Sequence, residues 1–105
     1  MNNKQSEKIS EVLEFTQRRF PPDKDLGFID GNCYWFAHIL HSQFSYLHIY
    51  YDQIPGHFVA GFSSMGPFFD QKGLYHSTSS FLPSLSWIKK YDDTWYNRLM
   101  RDCKN

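Results

Sequence analysis

From Ser6 to Phe20 the apolar residues Ile9, Val12, Leu13 and Phe20, with Thr16 in register, recur three or four positions apart, and charges fill the opposite face. That spacing predicts an amphipathic helix. Pro21-Pro22 ends it, because proline removes an amide donor and restricts the residue before it. Asp23 to Gly31 reads as a loop. A second helix is expected from Cys33 to about Phe44, with Asn32 as its N-cap and Trp35, Phe36, Ile39 and Leu40 available for burial. Few polar residues interrupt its first turns, which marks it as the buried central helix. The period then changes. Tyr46 to Asp52 is aromatic and β-branched with partial alternation, Pro55-Gly56 punctuates, and His57 to Phe62 follows as a second strand. Ser63 to Gly66 reads as a turn and Pro67 to Asp70 as a short third strand, for which an antiparallel meander is the simplest topology. Gln71 to Ser86 is rich in Gly, Ser, Thr and Pro and reads as irregular. Helical patterning returns with Trp87, Ile88 and Tyr91, then with Trp95, Leu99 and Met100, where Asp92 or Asp93 serves as a cap. The order helix, helix, three strands, helix predicts an α+β domain.

Length and composition sharpen this picture. A chain of 105 residues is expected to be one domain, residues 1–105. Aromatic residues make up 19%, which supplies a large apolar payload to a small core. Eleven basic and eleven acidic residues cancel, and no basic block appears, so the charge pattern argues against a nucleic-acid partner. Met1 to Lys8 is polar, and no apolar run is long enough to span a bilayer. The expected location is therefore cytoplasmic, with no membrane partner. Two cysteines, Cys33 and Cys103, are too few for a disulfide framework, and a reduced Cys33 fits the sequence better than a bridge between them.

Candidate chemistry sits in three segments: Asp30-Gly31-Asn32-Cys33, Gly56-His57-Phe58-Val59 and Phe68-Phe69-Asp70. They place a cysteine at a helix start, a histidine at a strand start and an acid at the end of the next strand. A free thiol ionises near pH 8.5. The positive end of a helix and a neighbouring imidazolium both stabilise the thiolate. Asp70 on the far ring nitrogen of His57 would fix the tautomer, as the third member of a triad does. The exposed amides of the first helical turn are candidates to hold an oxyanion.

These segments, from Asp30 to Gly73, resemble the core of the papain-like superfamily, in particular its small transglutaminase-like and NlpC/P60-like branches. They are also similar to small uncharacterised proteins of bacteriophages and mobile elements. The resemblance implies a central Cys-bearing helix packed on a small antiparallel sheet, flanked by N- and C-terminal helices. It implies Cys33 as nucleophile, His57 as proton shuttle and Asp70 as orienting residue. Gly27 stands near the place where papain carries a glutamine oxyanion donor, so Asn32 or a backbone amide takes that role here. The tetrapeptide Asp30-Gly31-Asn32-Cys33 also resembles the nucleophile motif of ovarian-tumour-type deubiquitinases. Their histidine follows far later than this chain allows. The activity implied is a cysteine-dependent hydrolase or acyl transferase acting on a peptide, isopeptide or glutamine-type amide.

Plainer readings stand beside these. Taken alone, Cys33 reads more readily as a buried structural thiol than as a nucleophile. His38, His41 and His48 match no closed tetrahedral zinc pattern, His76 carries no signal, and no cofactor motif is visible, so no metal and no cofactor are expected. Trp35, Phe36, Phe58, Phe62 and Phe68 read as core. Tyr34, Tyr50, Tyr51, Tyr75, Trp87 and Trp95 divide between packing and recognition. The rival function is a non-catalytic interaction module on the same fold, an anti-CRISPR-like blocker of a host defence complex with a host protein as partner. Thiol redox sensing through Cys33 and Cys103 is a third reading without a resolving-cysteine motif.

Overall fold

A computed structural model describes residues 3–20 and 33–104, with side chains described for 4–20 and 33–101. The elements run α1 (Asn3–Arg19), α2 (Cys33–Gln43), β1 (His48–Asp52), β2 (His57–Gly61), β3 (Phe68–Asp70), β4 (Gly73–Tyr75), α3 (Leu85–Tyr91) and α4 (Asp93–Lys104). The four strands form one antiparallel sheet in the order β1-β2-β3-β4. This is the expected α+β architecture with a meander. The loop read over Asp23 to Gly31 and the Asn32 cap lie outside the described residues.

Strand alternation divides the sheet into two faces. On the first, Ala60 and Phe69 pack with Val12, Phe15 and Phe20 of the α1 segment, Phe36 and Leu40 of α2, and Leu47. Ile49 and Phe58 pack beside them with Cys33, Tyr34 and Ala37 of α2, Ile88 of α3, and Leu99 and Met100 of α4. All four helices thus contribute to this face. Phe36, Phe58, Phe69, Leu40 and Leu47 are essentially inaccessible, and burying each stabilises the fold by about 1.5–3 kcal/mol. On the second face Tyr50, Val59 and Phe68 are covered by Leu82 from the segment before α3. That segment also guards the outer edge of β1, where the Tyr51 amide donates to the Pro83 carbonyl at 3.0 Å and Tyr50 bridges Ser84.

Four details depart from the expectation. Gly73-Leu74-Tyr75, inside the stretch read as irregular, is a fourth strand joined to β3 by Gln71-Lys72, with Asp70 opposite Gly73. Three residues are too few to show alternation. The C-terminal patterning is two helices, and the first begins at Leu85, because Ser84 Oγ accepts the Trp87 amide at 3.1 Å. Asp92 is the cap that opens α4, its Oδ1 accepting the Trp95 amide at 3.1 Å. Trp35 is 38% exposed: it falls outside the buried stripe Cys33, Phe36, Ala37 and Leu40, whose spacing of three and four defines the inner face of α2. Phe62, also read as core, is only half-buried.

Candidate active site

Cys33 is the first residue of α2, at the positive end of the helix. The β2–β3 ladder runs only through Ala60 and Gly61, which leaves the start of β2 open on that side. There the Phe58 amide donates to Cys33 Sγ at 3.4 Å. The thiol is free, and the residue is 6% exposed.

His57 follows the turn that joins β1 to β2. The Gly56 amide closes this turn on the Asp52 carbonyl at 2.9 Å. Gly56 has φ +71°, a conformation that costs glycine least. The chain then enters β2 with the His57 side chain on the second face. Asp70 ends β3 one step beyond the Ala60–Phe69 pair, beside Val59 and diagonal to His57. Its Oδ2 lies 3.3 Å from His57 Nε2, and its Oδ1 accepts the Lys72 amide at 2.9 Å. The second bond fixes the carboxylate and hence the ring it holds. With Nε2 engaged by Asp70, Nδ1 is the ring nitrogen left for the thiol.

The electrostatics of the pair follow from these contacts. Burial pushes the Cys33 thiol up, but the His57 hydrogen bond, the Phe58 amide and the imidazole's charge outweigh it, and the net position is below the ordinary 9.0. His57 is raised from 6.5 to about 9, first by its hydrogen bond to Asp70, then by the thiol, against a smaller opposing effect of burial. Both displacements favour the thiolate–imidazolium form. The geometry brings Cys33, His57 and Asp70 into one cluster. Asn32 lies outside the described residues.

Sequence reasoning missed a second layer. Asp52, at the end of β1 and directly opposite His57, is 1% exposed. Its Oδ2 accepts the Tyr75 hydroxyl at 2.7 Å and the Ser77 hydroxyl at 2.6 Å, while its Oδ1 is buried with no hydrogen-bond partner among the described residues. The Tyr75 ring packs against the His57 ring with centroids 5.2 Å apart. The available signal was an acid placed symmetrically with His57 about Ile54-Pro55.

The remaining histidines lie elsewhere. His38, His41 and His48 line a pocket of about 300 Å³ with Tyr34, Lys89 and Tyr96. His41 Nδ1 is 2.6 Å from the Leu47 carbonyl. Among the described residues no group of three or more His, Cys, Asp or Glu is placed to hold a metal ion, and no helix is long and apolar enough to cross a membrane. Cys103 lies in the last turn of α4, with its side chain outside the described part.

A family model described as "Phage YunG-like protein" matches residues 12–101. Comparison with curated proteins and with solved structures found no match.

Proposed function

The chain belongs to the phage YunG-like protein family, and from the geometry of its thiol site we propose that it is a minimal papain-like, cysteine-dependent hydrolase or acyl transferase. One observation carries this reading: His57 is shared between the Asp70 carboxylate at 3.3 Å and the Cys33 thiol, with the thiol displaced down and the imidazole up. In the proposed reaction the Cys33 thiolate attacks a carbonyl carbon, and the carbonyl electrons move onto oxygen. In this reading the amides of the first turn of α2 bind that oxyanion. As the intermediate collapses, His57 gives its proton to the departing amine, leaving a Cys33 thioester. Water or a second amine then attacks the thioester, His57 takes the proton released, and the thiolate leaves. Asp70 keeps the ring oriented throughout and stabilises its charged form. The narrow access to Cys33, 6% exposed, favours a carbonyl on a slender segment: a peptide, an isopeptide or a glutamine-type amide.

The test is acylation by p-nitrophenyl acetate in a Cys103→Ser background, read by intact mass. The expected result is a single acetyl adduct on Cys33, absent in Cys33→Ala and formed about 10²-fold more slowly in His57→Ala, within the range a positioned acid–base group contributes. An adduct forming no faster than on free cysteine contradicts the reading.

A second reading has its own observation. Met65, Phe81 and Trp87 are 78%, 62% and 49% exposed, and Phe81 and Trp87 line a pocket of about 220 Å³ with Pro83. Exposed aromatic surface of this kind suits a protein partner. Under that reading Cys33→Ala keeps the biological effect and Trp87→Ala abolishes it; under the enzymatic reading the pattern reverses.

A further inference from the structure

We propose that Asp52 is a positioning residue for the His57–Asp70 pair, acting through Tyr75, whose side chain straps the face of the sheet on which both lie. The proposal rests on the reading of Cys33, His57 and Asp70 as a nucleophile system.

Register shows how unusual the contact is. Tyr75 sits opposite Phe68 at one end of the ladder in β4, whereas Asp52 sits opposite His57 at the other end in β1. These are opposite corners of the sheet, separated across it by three interstrand steps of about 4.8 Å each. The 2.7 Å bond from the Tyr75 hydroxyl to Asp52 Oδ2 therefore requires the sheet's twist to curl the two corners together. The phenol has to cross the diagonal between them. Val59, Asp70 and His57 lie along that diagonal. The Tyr75 ring is packed at 5.2 Å from the His57 ring and joins the Tyr50–Val59–Phe68–Leu82 cluster. Asp70 also acts electrostatically on the phenol. The strap thus packs on the His57 ring beside its Nε2–Asp70 Oδ2 contact, whose two side chains are 14% and 13% exposed.

Asp52 is poorly explained by stability alone. Its Oδ1 is buried without a partner among the described residues, and an unsatisfied buried polar atom is destabilising. Its Oδ2 instead gathers two short hydroxyl contacts, from Tyr75 and from Ser77, and Ser77 in turn accepts the Ser79 amide at 3.0 Å. Burial and Asp52 raise the Tyr75 phenol well above its usual range, so the hydroxyl stays protonated and keeps donating. A hydrogen bond to a charged group is stronger when water is kept from it. Holding the ring in place therefore holds His57 basic and, through it, the thiol ionised. The groups facing His57 are Cys33 from α2, Asp70 from β3, Tyr75 from β4 and Asp52 from β1.

The experiment uses the full chain in a Cys103→Ser background, with isotope-labelled imidazole. Two midpoints are followed against pH: the His57 ring signals by NMR, and the rate of Cys33 alkylation by iodoacetamide. Tyr75→Phe, which removes one oxygen, and Asp52→Ala are expected to lower the His57 midpoint by about one unit, a tenfold loss of basicity, and to raise the Cys33 midpoint. Asp52→Asn still accepts both hydroxyls and is expected to restore most of the shift. If Asp52→Ala does not fold, Tyr75→Phe decides the matter. Variants that fold and leave both midpoints where the parent has them overturn the strap while the nucleophile reading stands. A parent chain with an unshifted thiol overturns both.

Discussion

The Cys33 thiol is held from three directions: by the first turn of α2, by the Phe58 amide at 3.4 Å and by the His57 ring. Burial alone would make it a poor nucleophile, so the imidazole decides its character. The largest influence on that imidazole is Asp70. Asp70→Ala is accordingly expected to move the His57 midpoint from about 9 back toward 6.5, read by NMR titration of the ring. A midpoint unchanged near 9 would show that the thiol, not the carboxylate, sets it. Cys33, His57 and Asp70 were legible in the chain because each stands at an element boundary beside turn residues, where position and direction follow from local sequence. The Asp52–Tyr75 contact was not. It joins two sheet corners 23 residues apart, and only the twist of the assembled sheet makes them neighbours.

At the scale of elements, short pieces depend on their ends. α3 has only seven residues and one buried side chain, Ile88, so its Ser84 cap matters more than its propensity. Ser84→Ala is expected to cost about 1 kcal/mol in urea unfolding, and Asp92→Ala a similar amount at the start of α4. A loss below about 0.3 kcal/mol for both would mean that packing alone holds these helices. Phe36 carries the opposite kind of dependence. It is 1% exposed and packed edge-on against Phe20 at 4.9 Å, so Phe36→Ala is expected to cost about 3–5 kcal/mol. The helical stripe around Phe36 and the alternation of β2 were readable before folding, because period and burial agree there. β4 was not, since Gly73-Leu74-Tyr75 gains its strand character from pairing with β3. Trp35 misled for a related reason: its type suits a core, but its angular position on α2 faces outward.

Across the whole molecule the pair should leave a signature in stability against pH. His57, raised from 6.5 to about 9 on folding, contributes stability that is fully present below about 6.5 and lost as pH rises through about 9. Cys33, lowered from 9.0, contributes stability that is present above 9.0 and lost as pH falls through its lowered folded value. In the intervening window the two slopes have opposite sign and offset one another. Cys33→Ala removes one of them. Its unfolding free energy is therefore expected to fall relative to the parent, by up to about 1.4 kcal/mol per pH unit, as pH rises from the thiol's lowered folded value to 9.0, measured by urea denaturation at a series of pH values. Parallel curves for the two proteins would mean that folding does not displace the thiol.

Thiol and imidazole come from different elements, α2 and β2, so only the folded chain can couple them. The direct test is the rate of Cys33 alkylation against pH in a Cys103→Ser background, native and in urea, with and without His57→Ala. The native parent should show a midpoint below the free value, in the direction folding moves the thiol, and both urea and His57→Ala should return it to the free value of about 8.5 or above. A native midpoint at or above the free value would make Cys33 a buried structural thiol and contradict the account.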